Sequence, residues 1–287
     1  VSSGNVTTGR SGPSAPREVR STKPCPRISV LTIAGSDSGG GAGIQADSRT
    51  IQALGGFAAT AITAVTAQNT RGVLGWSAVE PKLLAQQISA VCEDLAIAAI
   101  KTGLLPGAAA VDAVLRALKP FPRIPLVVDP VIGSTSGTRF LSTTGLRRLR
   151  DGLLPRATLV TPNWPEAAAL SGLPVNQLTE AEAAGRAILK KTGCPAVLVK
   201  GGHASGPKCE DLLITADGQI RAYRRARIDS LNTHGTGCVL SAAIATRLAC
   251  GDDLSAAVAT AIAFLHRALR RGRDACWGGG HGPAFAG

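Results

Sequence analysis

Five short apolar runs, each closed by a polar or glycine-rich turn, set the terms on which this chain can fold. They are ISVLTIAG at 28–35, AAIKTG at 98–103, PLVVDPV at 125–131, ATLVTP at 157–162 and AVLVKGG at 196–202. Runs that are apolar throughout, with no polar residue at every second position, belong to strands buried on both faces, as in parallel sheets. Helical periodicity fills the gaps. Residues 82–95 carry Leu83, Leu84, Ile88, Val91 and Leu95, and 180–192 is predicted to open on a Thr179–Glu182 capping box and to close at Gly193. Such alternation predicts right-handed βαβ crossovers, hence an α/β fold with a central, mostly parallel, doubly wound sheet flanked by helices on both faces. A hairpin around Asp217-Gly218 and two Ala-rich helices, 236–249 and 254–271, complete the expected core. An aromatic content of only 3% with 34 glycines suits close helix-on-sheet packing better than an all-β sandwich. No internal repeat or linker divides 28–287, so a single domain is expected there.

Residues 1–27 are rich in Ser, Thr, Gly, Pro and Arg and lack apolar periodicity, which reads as a disordered basic extension. No stretch reaches about 18 consecutive apolar residues, and no basic segment leads into an apolar one, so neither a membrane span nor a secretory signal is predicted. A soluble cytoplasmic protein is the expectation, with organellar import through residues 1–27 left open. The seven cysteines form no CxxC pair and their number is odd, which favours a reducing compartment over a disulfide framework. His234 lies four residues before Cys238 without a second ligand pair nearby, so zinc is not expected. The formal charge of +12 raises nucleic acid as a partner. However, the arginines are dispersed among the tail and the segments around 147–156, 221–227 and 267–273, with no aromatic interleaving. Solvated faces account for that pattern better, and nucleic-acid binding remains the competing reading from another functional class.

In an open α/β sheet, ligands bind beyond the carboxyl ends of the strands. Chemistry-bearing residues gather there: the glycine loop 35–43 after the first run, Asp129 after the third, Asn163 and Glu166 after the fourth, and Lys200 after the fifth. The segment Gly235-Thr236-Gly237-Cys238 opens an apolar helix, where small residues let free backbone N–H groups and the positive helix end approach an anion. Alone, that segment is equally a structural cap. With a carboxylate at Asp129, an Asn-x-x-Glu that can hold hydrated Mg²⁺ and a strand-end lysine, it becomes the equipment of phosphoryl transfer without a Walker lysine loop. Cys238 is a candidate base for a hydroxyl, because a helix N-terminus lowers a thiol's pKa from about 8.5. The structural alternatives are a surface acid for Asp47, a strand-end polar residue for Gln68 and a solvated strand terminus for Lys200.

These residues carry a resemblance. AGSDSGGGAGIQAD at 34–47, TAQNTRGV at 66–73, KTGLL at 101–105, VDPV at 128–131, TPNWPEA at 161–167, VKGGH at 199–203, NTHGTGC at 232–238 and GHGP at 280–283 together resemble the hydroxymethylpyrimidine/phosphomethylpyrimidine kinases of thiamine biosynthesis, in the ribokinase-like superfamily. The match runs in order from about residue 30 to 285. It implies a ribokinase-like sheet, ATP as phosphoryl donor, Mg²⁺ and a homodimer. It further implies that Gln68 binds the aminopyrimidine, with Gly35, Ala42, Asp47, Leu104 and Val131 around it. Gly235, Thr236 and Gly237 match the anion hole, and Cys238 stands where sugar kinases of the superfamily place a catalytic Asp. Asp129, Asn163 and Glu166 correspond to the magnesium and phosphate side, and Lys200 to a nucleotide-phosphate contact. The chain departs from its relatives in two places: apolar residues other than Met follow KTG and DPV, and the loop 133–138 has no lysine. The implied activity is phosphorylation of 4-amino-5-hydroxymethyl-2-methylpyrimidine and of its monophosphate, with pyridoxal kinase activity as the close alternative.

The extension offers no core-facing pattern. A chain beginning near Lys23 is therefore expected to keep its activity and melting temperature, and a large loss of either in a thermal scan or assay would show that the tail docks on the body.

Overall fold

The computed structural model describes residues 28–133, 137, 140–204 and 206–285, together with the terminal residues 1 and 287. The basic extension at 2–27 and most of the lysine-free loop at 133–138 lie outside the described residues.

The strands are β1 (Ser29–Asp37), β2 (Phe57–Asn69), β3 (Gly72–Ala78), β4 (Ile97–Thr102), β5 (Leu126–Val128), β6 (Leu159–Val160), β7 (Ala196–Val199), β8 (Lys208–Thr215) and β9 (Ile220–Ala226). They form one sheet in the order β3-β2-β1-β4-β5-β6-β7-β8-β9. The six central strands are parallel, while β3 pairs antiparallel with β2, β8 with β7 and β9 with β8. The helices are α1 (Gly43–Ala53), α2 (Pro81–Asp94), α3 (Gly107–Leu118), α4 (Thr143–Arg148), α5 (Trp164–Ser171), α6 (Leu178–Thr192), α7 (Thr236–Ala249) and α8 (Leu254–Gly272).

Adjacent residues of a strand point to opposite faces, and the two cores follow that rule. Leu31, Ile100, Val128, Val160 and Val197 pack on one face with Leu84 and Ile88 of α2, Val111 and Val114 of α3, Leu170 of α5 and Ile188 of α6. Their neighbours Val30, Ala99, Val127, Leu159 and Leu198 pack on the other with Ile51 of α1, Leu240 and Ile244 of α7 and Val258 and Ile262 of α8. Burial on both sides is why these runs show no alternation. Among the described residues, no helix is long and apolar enough to cross a membrane, and the six cysteines at 92, 194, 209, 238, 250 and 276 are free thiols.

Two local expectations need correction. The Thr179–Glu182 capping box does not form: α6 starts two residues earlier, with Gln177 as an N-cap that makes no side-chain bond. Glu180 there accepts the Asn176 N–H at 2.7 Å and the Gln177 amide at 3.1 Å. The capping box that does form is Asn163–Glu166 on α5, where Asn163 Oδ1 accepts the Glu166 N–H at 2.9 Å and Glu166 Oε2 accepts the Asn163 N–H at 2.8 Å. Gly193 does end α6, with φ of 70°. The hairpin β2–β3, absent from the sequence reading, extends beyond the end of β1, and Trp76 meets Phe140 edge-on with ring centroids 5.5 Å apart.

From β1 the chain crosses on α1 to β2, on the outer side. It returns on the opposite face by α2 to β4, on the inner side. Strand order therefore reverses between β1 and β4, which places a crevice at their carboxyl ends. Further along the same edge, the Gly201 N–H donates to Asp211 Oδ1 at 2.7 Å, and a Cβ at position 201 would come within 1.9 Å of the Glu210 carbonyl oxygen, whereas one at Gly202 would meet nothing within 4 Å. Gly201→Ala is expected to lower stability by about 1–3 kcal/mol through backbone displacement, with Gly202→Ala near neutral, as read by denaturant unfolding.

Candidate active site

A cavity of about 880 Å³ opens along this edge. Gly35, Asp37, Ala42, Gln68, Leu104, Val131 and His234 line it where β1, β2 and β4 end, and Gly202, Asp211, Arg225, Arg227, Leu265 and His266 line it where β7 to β9 and α8 meet. Asp129, Asn163, Glu166, Lys200 and the segment Gly235, Thr236, Gly237 and Cys238 line the middle. All the residues singled out from the sequence are thus brought to one cavity, except Asp47.

Asp47 is fully buried and does not reach the cavity, so the expectation that it surrounds the acceptor is corrected. It lies on the second turn of α1, against the sheet. Its Oδ2 pairs with the Lys101 ammonium at 2.7 Å and accepts the Thr32 hydroxyl at 2.5 Å, and Lys101 is equally buried. An isolated charge at that depth would be costly, and the pairing of the two side chains explains both.

In the middle of the cavity, Lys200 Nζ lies 2.7 Å from Asp129 Oδ1 and 3.7 Å from Glu166 Oε2. Burial works against the ammonium, but Asp129 and then Glu166 more than offset it, and the Lys200 pKa is raised. Burial also pushes Glu166 up to about 7, opposed by Lys200 and reinforced by Asp129. A Cβ at Gly237 would stand 3.2 Å from both Asp129 Oδ2 and Lys200 Nζ, so the first turn of α7 sits directly over this pair. Gly235 has a φ of 80°, and a Cβ there would lie 2.1 Å from the Gly41 carbonyl oxygen. The left-handed backbone and the close approach each require glycine. The N-terminus of α7 is thereby held against the 35–43 loop, with its free N–H groups and dipole turned to the cavity.

Asn163 lines the cavity, but its side-chain oxygen is engaged in capping α5, which leaves Asp129 and Glu166 as the acidic donors of this region. Two buried carboxylates beside one ammonium fit Mg²⁺, which takes one or two carboxylates and completes its oxygen shell with water and phosphate. Among the described residues, no group of three or more His, Cys, Asp and Glu side chains is arranged to hold a metal by itself.

Cys238 stands in the first turn of α7, at the edge of the same cavity. Desolvation pushes its thiol up to about 11, opposed by Lys101 and reinforced by Asp47 and Asp129. Burial beside two carboxylates thus favours the neutral thiol, the form in which this position adds no charge to the cavity.

Several cavity residues had gone unassigned. Asp37 accepts the Gly39 and Ala42 N–H groups at 2.8 and 2.9 Å, and His234 Nε2 lies 2.8 Å from Asp37 Oδ2 and 3.1 Å from the Gln68 amide nitrogen. Burial of Asp37 raises its pKa, but His234 and the two N–H groups outweigh that and hold it below the usual carboxylate range. Lys101 interrupts the otherwise apolar run of β4, which is the signal that could have singled it out, and Asp37 closes β1. Arg225 and Arg227 were visible only as part of the overall charge.

The family model for phosphomethylpyrimidine kinase matches residues 37–284. The hydroxymethylpyrimidine/phosphomethylpyrimidine kinase of Rhizobium meliloti is 45% identical over 255 residues, covering 88% of this chain and 95% of that protein. The thiamine biosynthesis bifunctional protein of Geobacter sulfurreducens is 43% identical over 261 residues, 91% of this chain, which spans about half (52%) of that longer protein. Among solved structures, phosphomethylpyrimidine kinase of Clostridium difficile superposes with a TM-score of 0.75 at 37% identity, covering 85% of this chain and 100% of that one. Pyridoxal kinase of Staphylococcus aureus, in complex with pyridoxal, superposes with a TM-score of 0.78 at 30% identity, covering 85% and 88%. The matched span takes in the glycine loop, the Lys200–Asp129 pair and the anion-binding turn of α7, and the chain belongs to the phosphomethylpyrimidine kinase family.

Proposed function

We propose that this chain transfers the γ-phosphoryl group of ATP to the hydroxymethyl oxygen of 4-amino-5-hydroxymethyl-2-methylpyrimidine, and then phosphorylates the resulting monophosphate to the diphosphate. The observation that carries this reading is the order of groups along one cavity: an amide-bearing, partly apolar end, a helix N-terminus over an ammonium and two carboxylates, and an arginine-bearing end. The acceptor ring occupies the first, with Gln68 at its polar edge and Leu104 and Val131 against its face. The nucleotide occupies the last, where Arg225, Arg227 and Lys200 meet its phosphates. Phosphoryl transfer asks mainly for positioning and neutralisation of charge on the moving group. The N–H groups of Gly235, Gly237 and Cys238 and the adjacent Lys200 ammonium supply that. Asp129, in the middle of the cavity, is the carboxylate to which the acceptor hydroxyl would pass its proton as the new bond forms. Glu166 and Asp129 are the residues that would hold Mg²⁺, which would supply neutralisation of the nucleotide's phosphate charge. The neutral Cys238 thiol borders the acceptor without adding charge.

Homodimerisation and a cytoplasmic location belong to the proposal. The first is supported by the exposed Val65, Leu74 and Trp76 on the outermost hairpin, whose β3 is a free sheet edge.

A coupled assay of ADP release with the pyrimidine alcohol, its monophosphate and pyridoxal tests the central claim. Turnover of both pyrimidines well above pyridoxal is expected, and a strong preference for pyridoxal would overturn it in favour of the related activity. Glu166 loses its charge as the pH falls through about 7, so the half-saturating Mg²⁺ concentration is expected to rise between pH 8 and pH 6. Glu166→Gln should raise the requirement at pH 8 by about 10-fold and flatten that pH dependence; unchanged metal titrations would remove Glu166 from the site. Cys238→Asp should slow the monophosphate step by about 100-fold while sparing the alcohol step, because a second anion then faces the acceptor phosphate at short range. If single-turnover rates with the monophosphate match those of the parent, the neutral thiol is not what admits it.

A further inference from the structure

Three polar side chains from three separate segments meet at the acceptor end of the cavity, and the proposed chemistry uses only Gln68. Asp37 ends β1, Gln68 lies near the tip of the β2–β3 hairpin and His234 precedes α7. All three are held from outside the triangle. Both Asp37 oxygens accept backbone N–H groups of the 35–43 loop. The Gln68 N–H donates to Ser38 Oγ, and its carbonyl accepts the Ser38 hydroxyl, each at 2.8 Å. The His234 N–H donates to the Gly282 carbonyl at 3.0 Å, and its carbonyl accepts the Ala284 N–H at 2.8 Å, so the C-terminal segment clamps it on both sides. Its ring fills the space beside Gly41, where a Cβ would lie 2.4 Å from the imidazole Cδ2.

Counting hydrogens settles how these groups are oriented. His234 Nε2 carries at most one. Asp37, with two backbone donors already on it, is a carboxylate and accepts only, so the 2.8 Å contact takes the Nε2 hydrogen. Nε2 then has no lone pair for a Gln68 N–H. The two ends of a side-chain amide are nearly indistinguishable in shape, and the end at 3.1 Å from Nε2 must be the oxygen, sharing the same hydrogen. The NH₂ is thereby turned to the cavity, with the second lone pair of Oε1 beside it.

We infer that Asp37 and His234 lock the Gln68 amide in this one orientation, making His234 a positioning residue that determines which acceptor ring is phosphorylated. The inference rests on the pyrimidine reading above and specifies how that ring is chosen. The aminopyrimidine presents an acceptor nitrogen next to a donor amino group, which complements NH₂ and Oε1 as locked. Its 4-oxo analogue presents a donor N–H next to an acceptor carbonyl, the reverse pattern. A free amide meets either by turning over about its last bond. A locked one meets only the first, because the turned amide would point its NH₂ at the Nε2–H.

The test is kcat/KM for the aminopyrimidine alcohol and for its 4-oxo analogue, with KM for ATP measured alongside and folding checked by thermal unfolding. The parent is expected to prefer the amino ring by at least about 100-fold, since reversal leaves two buried polar pairs unmet. His234→Phe should bring the two rings within about 10-fold of one another with KM for ATP unchanged. His234→Asn, whose amide is too short to reach both partners, should do the same and serves if the Phe variant does not fold. His234→Gln, which places an N–H near the Nε2 position, should restore most of the preference. A folded Phe or Asn variant that keeps the parent's preference overturns the inference while leaving the pyrimidine reading intact. A parent that prefers neither ring overturns the lock as well, and one inactive on the aminopyrimidine overturns both.

Discussion

The ammonium of Lys200 is the fixed point of the cavity. It ties the end of β7 to Asp129 beyond β5 and to Glu166 at the start of α5, at 2.7 and 3.7 Å. Removing one partner from a buried ion pair strands a charge at a cost of several kcal/mol, so these ends cannot drift apart. The strands beneath are short and hold register through few pairs: Val128 opposite Val160, and Val160 opposite Val197. The backbone adds the Lys200 N–H to the Pro162 carbonyl at 2.8 Å. Charge and backbone together set the place where α7 must land, because Gly237 rests on both members of the pair. A helix N-terminus held in that way needs no rearrangement as charge develops in front of it, which is where preorganised dipoles act most strongly.

The Lys101–Asp47 pair lies deeper and has a different consequence. It joins β4 to α1 beneath the same helix, and Cys238 feels the lysine and both nearby carboxylates. Lys101 and Lys200 face Asp47, Asp129 and Glu166, so the floor gains ordered charge without a large net sign. In the proposed reading, the positive field toward an incoming phosphate comes from the α7 dipole, from Lys200 and from Arg225 and Arg227. A chain with +12 overall therefore directs only a small part of that charge to its chemistry, and the rest is spread over surface arginines.

Much of the central sheet was legible because its strands are buried on both sides. Val127 and Val128, or Leu159 and Val160, need the same apolar character for opposite cores, and that leaves uninterrupted runs. The hairpin β2–β3 was not legible. Phe57–Asn69 is rich in Ala and Thr and half exposed, so it has neither the apolar run of a central strand nor a clear alternation, although it supplies Gln68. The strand-end positions of Asp129, Glu166, Lys200 and the α7 turn followed from topology. Asp47 did not, because one helical turn decides whether its carboxylate faces the cavity or the sheet, and only the location of Lys101 settles that. His234 was weighed as a metal ligand by its distance in sequence from Cys238, while its partners, Asp37 and Gln68, lie 197 and 166 residues away. Spacing along the chain carries no trace of such a contact.

The state of Cys238 bears on how one cavity can serve two acceptors of different charge. An alcohol arrives neutral and gives up a proton, whereas a phosphate monoester arrives as an anion and has little or nothing to give up. A strong fixed base at the helix end would favour the first and repel the second. Burial favours the protonated thiol, so under the proposed acceptor placement Cys238 adds no charge for either. A weak base at this position fits the loose transition state of phosphoryl transfer, which draws little nucleophilic push from the acceptor oxygen. What both acceptors require in common is charge compensation on the moving phosphoryl group, and Lys200 and the α7 N–H groups are the candidates to supply it for either. A sulfur atom in place of a carboxylate is in this sense a choice of neutrality, and it is the surroundings of Cys238, more than the thiol itself, that enforce it.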